Sequence, residues 1–276
     1  MTAATTLERR TCGGTAYHVG GEGDAVLLVH GLGGGSANWC EVVPDLVRRH
    51  RVVAVDLPGH AGSEPLDAGA SVDDFAAEVA AVLDAEGMEE ALVAGHSFGG
   101  LVSLRLAHRR PDLVRALLLV SPAGISTGSR IVEALVVAAA TIKPGRLAAR
   151  FSDRWAGRPW YRRTVFRPWF VADADALPER AALGLLDAHA RHANTRVAGR
   201  AMVAADPRPE LHLACPALVL WGARDAQLPL DDAFEYARRL RAPLRIVADC
   251  GHLVIVERPR AVLDALEALA AQARAS

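Results

Sequence analysis

Six short apolar runs constrain what this chain can fold into more than any other feature. Val26 to Val29 leads into His30-Gly31, and Val52 to Val55 into Asp56 and the turn Pro58-Gly59. Ala91 to Ala94 precedes Gly95, and Ala116 to Val120 precedes Ser121-Pro122. Ala217 to Trp221 ends at Gly222, and Leu244 to Val247 closes the series. Runs of this length that lack polar alternation are the mark of strands buried on both faces of a parallel sheet.

The segments between them carry helical spacing. In Val72 to Leu83 the apolar positions Val72, Phe75, Val79 and Val82 recur at threes and fours, with Asp73 and Asp74 in the first turn. Ser97 to His108, Asp231 to Leu240 and Pro259 to Ala273 are further expected helices, the last with proline in its first turn. Strands alternating with helices predict an α/β protein with a mostly parallel, doubly wound sheet. From Ala123 to about Pro209 no strand is expected, and turn signals at Lys143-Pro144-Gly145, Gly157-Arg158-Pro159 and Leu177-Pro178 separate helical patterns. This predicts a core of residues 1–122 and 210–276 with a helical cap, residues 123–209, inserted between two strands.

Composition narrows the function class. A formal net charge of −1 leaves no global field to attract nucleic acid or an anionic membrane. Met1 to Arg10 has no apolar core of a secretory signal, and the apolar stretch Ile131 to Ile142 is too short to span a bilayer. Cys12, Cys40, Cys215 and Cys250 show neither CxxC spacing nor the density of a disulfide scaffold. The expectation is a cytoplasmic protein with free thiols and a small-molecule substrate, without stable membrane association. Oligomeric state is not legible here.

Gly95-His96-Ser97-Phe98-Gly99 fits the pattern G-x-S-x-G, and it stands between an expected strand and an expected helix. A serine on so sharp a turn takes a strained backbone, and the glycines two positions either side remove side chains that would clash. Serine is a weak nucleophile and needs a base, normally a histidine oriented by a carboxylate. Where the G-x-S-x-G pattern carries a nucleophilic serine, its partners follow in the chain order serine, acid, histidine. His252, directly after Gly251 and beyond the last expected strand, is the candidate base. His108, His189, His192 and His212 lie in helical or cap-like contexts and are read as structural or solvated.

Asp225 follows the run ending at Trp221 and is the candidate acid; Asp231 and Asp232 are read as first-turn helix acids, and Asp249 as pointing elsewhere. The glycine-rich loop His30-Gly31-Leu32-Gly33-Gly34 supplies the backbone donors an oxyanion needs, which makes the amides of Leu32 and Phe98 the candidate oxyanion hole. It has neither a phosphate-loop lysine pattern nor G-x-G-x-x-G opening a helix. No metal and no organic cofactor is called for by this chemistry.

Together His30-Gly31-Leu32-Gly33, Asp56-Leu57-Pro58-Gly59-His60, Gly95-His96-Ser97-Phe98-Gly99-Gly100, Trp221-Gly222-Ala223-Arg224-Asp225 and Gly251-His252 resemble the α/β-hydrolase superfamily. The likeness is to its cap-bearing members: esterases, C–C hydrolases and cofactor-free haloperoxidases. It implies the α/β-hydrolase fold and acyl transfer from an ester to water. Ala61 stands where the family usually has glycine, which predicts a local adjustment. His96 and Leu253 replace the Asn and Trp often found in hydrolases of aromatic meta-cleavage products.

Two alternatives stay open beside the esterase: hydrolysis of a C–C bond in a β-diketone or meta-cleavage-type substrate, and a non-hydrolytic binding or tailoring role on the same fold. Trp155, Trp160 and Trp169, with Phe166 and Phe170, are candidates to wall a substrate pocket. Cap arginines such as Arg146, Arg150, Arg154, Arg158, Arg162, Arg163 and Arg167 are either a solvated face or a clamp for an anionic substrate group.

Overall fold

The computed structural model describes residues 7–127, 144–167, 169–192, 194–208 and 211–275. The run Ile131 to Ile142 lies outside these residues. All six apolar runs are strands, and they sit in one eight-stranded sheet. The strands are β1 (Glu8–Cys12), β2 (Thr15–Gly20), β3 (Asp24–Val29), β4 (His50–Val55), β5 (Ala91–His96), β6 (Val114–Val120), β7 (Ala217–Gly222) and β8 (Leu244–Val247). Their order across the sheet is β1-β2-β4-β3-β5-β6-β7-β8. Pairing is parallel from β4 onward, and β2 is antiparallel to both its neighbours.

The β1–β2 hairpin is the part of the sheet that no apolar run announces. All of β1 but Cys12 is exposed, so it lacks the buried strand's composition. The signal for it is the turn Gly13-Gly14, both with positive φ, a two-residue hairpin connection. The buried Glu86 carboxylate holds the hairpin by accepting from Tyr17 at 2.7 Å and from Arg10 at 3.0 Å.

Helices cover both faces. In chain order they are α1 (Val43–Leu46), α2 (Val72–Ala85), α3 (Phe98–Arg109), α4 (Pro144–Ala149), α5 (Ser152–Trp155), α6 (Pro159–Phe166), α7 (Glu179–Arg191), α8 (Arg196–Ala204), α9 (Leu230–Leu240), α10 (Val254–Glu257) and α11 (Pro259–Ala275). Alternate strand residues divide the core in two. Leu27, Val29, Val53, Val93, Leu117 and Val219 pack with residues of α2, α3 and α9 on one face. Val26, Leu28, Val52, Leu92, Leu118 and Leu220 pack with α7, α10 and α11 on the other. This is the doubly wound sheet that the sequence predicts, and burial of both faces explains why β3 to β7 read as continuous apolar runs. The run Leu244 to Val247 departs from the expectation, since β8 lies at the sheet edge with Arg245 and Ile246 exposed.

Between β6 and β7 the described elements are α4 to α8, all helical. Among the described residues no helix is long and apolar enough to cross a membrane. The four cysteines are free.

Candidate active site

Ser97 sits between the end of β5 and the start of α3, with φ 52° and ψ −118°. A non-glycine residue there is strained, and the turn persists because its surroundings hold it. The Ser97 N–H donates to the Val120 carbonyl, and the Ser97 carbonyl accepts from Gly100 and Ala123. A side chain at Gly95 would come within 2.5 Å of the Gly99 carbonyl oxygen, and one at Gly99 would overlap the carbonyl oxygens of His30 and Val29. Glycine at both positions lets α3 start against β3 and leaves the serine at the carboxyl end of the sheet, partly open to solvent. Phe98, the first residue of α3, has by helix geometry no intrahelical acceptor for its N–H.

The loops after β7 and β8 bring Asp225 and His252 together. Their backbones are zipped by Ala223 N–H to Val247 and Arg224 N–H to Cys250, and Gly222 leaves room for the Gly251 carbonyl. His252 Nδ1 lies 2.7 Å from Asp225 Oδ2, with both side chains almost fully buried. Asp225 Oδ1 accepts the N–H groups of Gln227 at 2.8 Å and Leu228 at 3.0 Å. Burial pushes the Asp225 carboxyl up, but the charge of His252, its hydrogen bond and the two backbone donors outweigh this, so the carboxyl titrates below its ordinary value. An ionised Asp225 can only accept, so Nδ1 of His252 carries the proton and Nε2 is left as the basic nitrogen.

The backbone of His252 is tied in turn to the residue before Ser97. His96 Nε2–H donates to the His252 carbonyl at 2.9 Å, and the two rings lie 4.8 Å apart. Burial, then the neighbouring His252, pushes His96 down to about 3, so its ring is neutral.

Gly31 to Gly34 form a β-turn, closed by Gly34 N–H to the Gly31 carbonyl at 2.9 Å, with Gly33 at φ 74°. Leu32 occupies the second position, whose N–H the turn leaves unspent. The Gly31 carbonyl also accepts from His30 Nδ1 at 2.8 Å, while His30 Nε2 accepts from Leu57 N–H at 2.9 Å. Because the peptide is planar, holding the Gly31 oxygen orients the Leu32 N–H. A side chain on Gly31 would stand 3.0 Å from Ser97 Cβ, which places this turn against the serine.

The helical insertion reaches the same loops. Leu253 N–H donates to the Phe170 carbonyl at 3.0 Å. The Glu257 carboxylate accepts from Gly251 N–H at 2.9 Å and from Ala172 N–H at 2.8 Å. Burial pushes the Glu257 carboxyl up, against those donors. Gln227, two residues from Asp225, donates through Nε2 to the Trp169 carbonyl at 3.0 Å.

The three tryptophans lie in different settings. Trp155 stacks on Phe151 at 4.9 Å and tilts against Trp160 at 5.5 Å. Trp160 is 53% and Trp169 64% exposed. Of the arginines, Arg163 pairs with Asp175 and Arg162 donates to backbone carbonyls, whereas Arg150, Arg154, Arg158 and Arg167 are exposed.

Asp231 and Asp232 stand in the first turn of α9, and Asp232 also accepts from Ser126. Asp249 pairs with Arg224, away from His252, and His108 contacts His212. Ala61 has φ 39°, a left-handed backbone at the position where the family usually has glycine. Sequence reasoning missed the positions of His189 and His192, which lie against the Gly33 turn. Among the described residues, no cluster of His, Cys, Asp or Glu has the form of a metal site.

A serine on a strained strand-to-helix turn, a histidine bonded to a carboxylate and a glycine-rich turn gather at the carboxyl end of a mostly parallel sheet. The family model described as the alpha/beta hydrolase family matches residues 26–265, and the chain belongs to that family. It is 30% identical, over 96% of its length and 81% of the other chain, to an uncharacterized protein of Mycobacterium tuberculosis (strain ATCC 25618 / H37Rv).

Two solved structures are similar across nearly the whole chain. One is a membrane phospholipase A described as a bacterial virulence factor, with TM-score 0.75, 27% identity and coverage of 99% of this chain and 88% of the other. The second is the 2-hydroxy-6-oxo-6-phenylhexa-2,4-dienoate hydrolase of Rhodococcus sp. strain RHA1, with TM-score 0.70, 25% identity and coverage of 94% and 96%.

Proposed function

We propose that this α/β-hydrolase cleaves a carboxylic ester through an acyl-enzyme on Ser97. The observation that carries the reading is the bond from His252 Nδ1 to a carboxylate oxygen of Asp225, whose other oxygen is occupied by two backbone donors. It leaves Nε2 of His252 as the base. In this mechanism Nε2 takes the Ser97 proton as Oγ attacks the carbonyl carbon, and returns it to the leaving alcohol. Water activated by the same nitrogen then releases the acid. The N–H groups of Leu32 and Phe98 hold the developing oxyanion. No step calls for a metal or an organic cofactor.

In the same reading the described helices of the insertion, α4 to α8, cap the site and select the substrate. The hydrogen bonds that Phe170 and Trp169 accept from Leu253 and Gln227, and that Ala172 donates to Glu257, support this, since they tie the inserted segment to the loops that carry His252 and Asp225. Trp169, whose carbonyl holds Gln227 two residues from Asp225, is a candidate substrate contact, with Trp155 and Trp160 further candidates. A C–C hydrolase is the second reading, supported by the full-length likeness to the dienoate hydrolase of Rhodococcus.

The test is hydrolysis of p-nitrophenyl esters from acetate to decanoate, with Ser97→Ala alongside. The expected result is serine-dependent turnover, with kcat lower in Ser97→Ala by about 10⁴- to 10⁶-fold. Undiminished turnover by folded Ser97→Ala would end the assignment. Phosphonate labelling of Ser97 without ester turnover would favour the C–C reading.

A further inference from the structure

His192 follows the end of α7 in the helical insertion, and the chemistry proposed above does not use it. The residue is 7% exposed, and its two ring nitrogens reach two different loops of the sheet domain. Nε2 lies 2.8 Å from the Gly33 carbonyl oxygen, and Nδ1 lies 3.1 Å from the Ala61 amide nitrogen. A carbonyl only accepts and an amide N–H only donates, so the network assigns one neutral tautomer. Nε2–H donates to Gly33, and Nδ1 accepts from Ala61.

One of these partners, Gly33, belongs to the oxyanion turn itself. The Gly31 carbonyl, on the near side of Leu32, is held by His30 and by Gly34. The Gly33 carbonyl, on the far side, is held by His192. The turn is therefore gripped at both ends, once from its own strand and once from the insertion. Ala61, whose backbone is left-handed, has its N–H fixed by the same ring, and Asn194 N–H docks on the Gly59 carbonyl at 3.0 Å beside it. Ring contacts continue from His192 to His60 at 5.3 Å and from His60 to His30 at 5.1 Å, which packs the two grips against each other.

The geometry points to His192 as a positioning residue of the oxyanion turn, which makes the hole complete only when the helical insertion is seated. The inference rests on the reading of Leu32 as an oxyanion donor. It predicts that a residue in the insertion, touching neither substrate nor Ser97, governs stabilisation of the tetrahedral intermediate.

The experiment compares wild type, His192→Ala and His192→Gln on p-nitrophenyl butyrate and against a trifluoromethyl ketone, whose adduct on serine places an oxyanion in the hole. In His192→Ala, kcat and ketone affinity should each fall by about 10- to 100-fold while KM moves by less than about 3-fold. His192→Gln, which keeps one donor and one acceptor, should recover part of both. A folded His192→Ala with unchanged kcat and ketone affinity, or with a loss confined to KM, overturns the proposal.

If His192→Ala does not fold, ¹⁵N spectra of the wild-type imidazoles decide, with the His192 signals assigned by their loss in His192→Gln. The Nε2–H tautomer at His192 supports the proposal, and the Nδ1–H tautomer overturns it. Phosphonate labelling of wild-type Ser97 separates the two failures. Labelled, active protein indifferent to His192 sinks this inference alone, whereas wild type that neither labels nor turns over sinks the reading beneath it as well.

Discussion

The imidazole of His96 donates its Nε2–H to the carbonyl of His252 at 2.9 Å, so the residue before Ser97 grips the backbone of the base in the proposed mechanism. The neutral state of His96 follows from its burial, and its Nδ1 has no hydrogen-bond partner among the described residues. The ring therefore spends its single N–H on this one bond.

Removing that donor should loosen the base without removing it. His96→Phe keeps a ring in the packing and loses the bond. Its kcat should fall by about 10- to 100-fold, the scale expected for misplacement by about an ångström. Steady-state kinetics on a p-nitrophenyl ester check this, and wild-type kcat would show that other contacts hold the loop.

Asp225→Asn tests the orienting carboxylate. The amide oxygen can keep the N–H groups of Gln227 and Leu228, which turns its NH₂ toward His252 Nδ1. That favours the tautomer with hydrogen on Nε2, the wrong one for a base. The same substitution in serine proteases costs about 10⁴-fold in kcat, and a loss of that order is expected here. A loss under about tenfold would move the orienting role to another group.

The elbow glycines carry a stability prediction. Alanine at Gly99 would overlap the backbone oxygens of His30 and Val29, which cannot move without shifting β3. Gly99→Ala should cost about 3 kcal/mol or more, against less than about 0.5 kcal/mol for Gly69→Ala, where nothing lies within 4 Å. Urea denaturation of the two variants makes the comparison.

Acid should destabilise the fold at mild pH. Burial lowers His30, His60 and His96 below the ordinary histidine value of 6.5, so all three stay neutral in the folded chain. Unfolded, each takes up a proton below that value. Above it the two states bind protons equally and stability is at its full level. As pH falls from 6.5 toward 3, the window His96 defines, the unfolded chain binds more protons and stability is lost. The loss from His96 alone is up to about 2 kcal/mol by pH 5, and His30 and His60 add to it in the same direction. Thermal melts should show a Tm that is flat above pH 7 and falls steadily below 6.5. A flat Tm down to pH 5 would mean that these rings protonate in place.

Much of the fold and of the candidate site was legible because its signals are local. The strands β3 to β7 are apolar runs because both faces of the sheet are covered there, whereas β8 at the sheet edge is largely exposed, and the turn at Ser97 is spelled by glycines within two residues of it. The β1–β2 hairpin escaped because an exposed edge strand has no apolar run, and only Gly13-Gly14 marks it. The contacts of His192 were not legible, since its partners lie 159 and 131 residues away in sequence. Nothing near His192 distinguishes it from a solvated helix-end histidine.

By itself the sequence determined the doubly wound sheet and the places of Ser97, Asp225 and His252 along the chain, because buried periodicity and tight turns are demands on neighbouring residues. Tertiary structure alone decided which histidines meet which carbonyls. It tied His96 to His252 and His192 to Gly33, and it set Glu257 between Gly251 and Ala172. Such pairings depend on where distant loops end up, and each becomes worth making only after packing has excluded water from the groups involved.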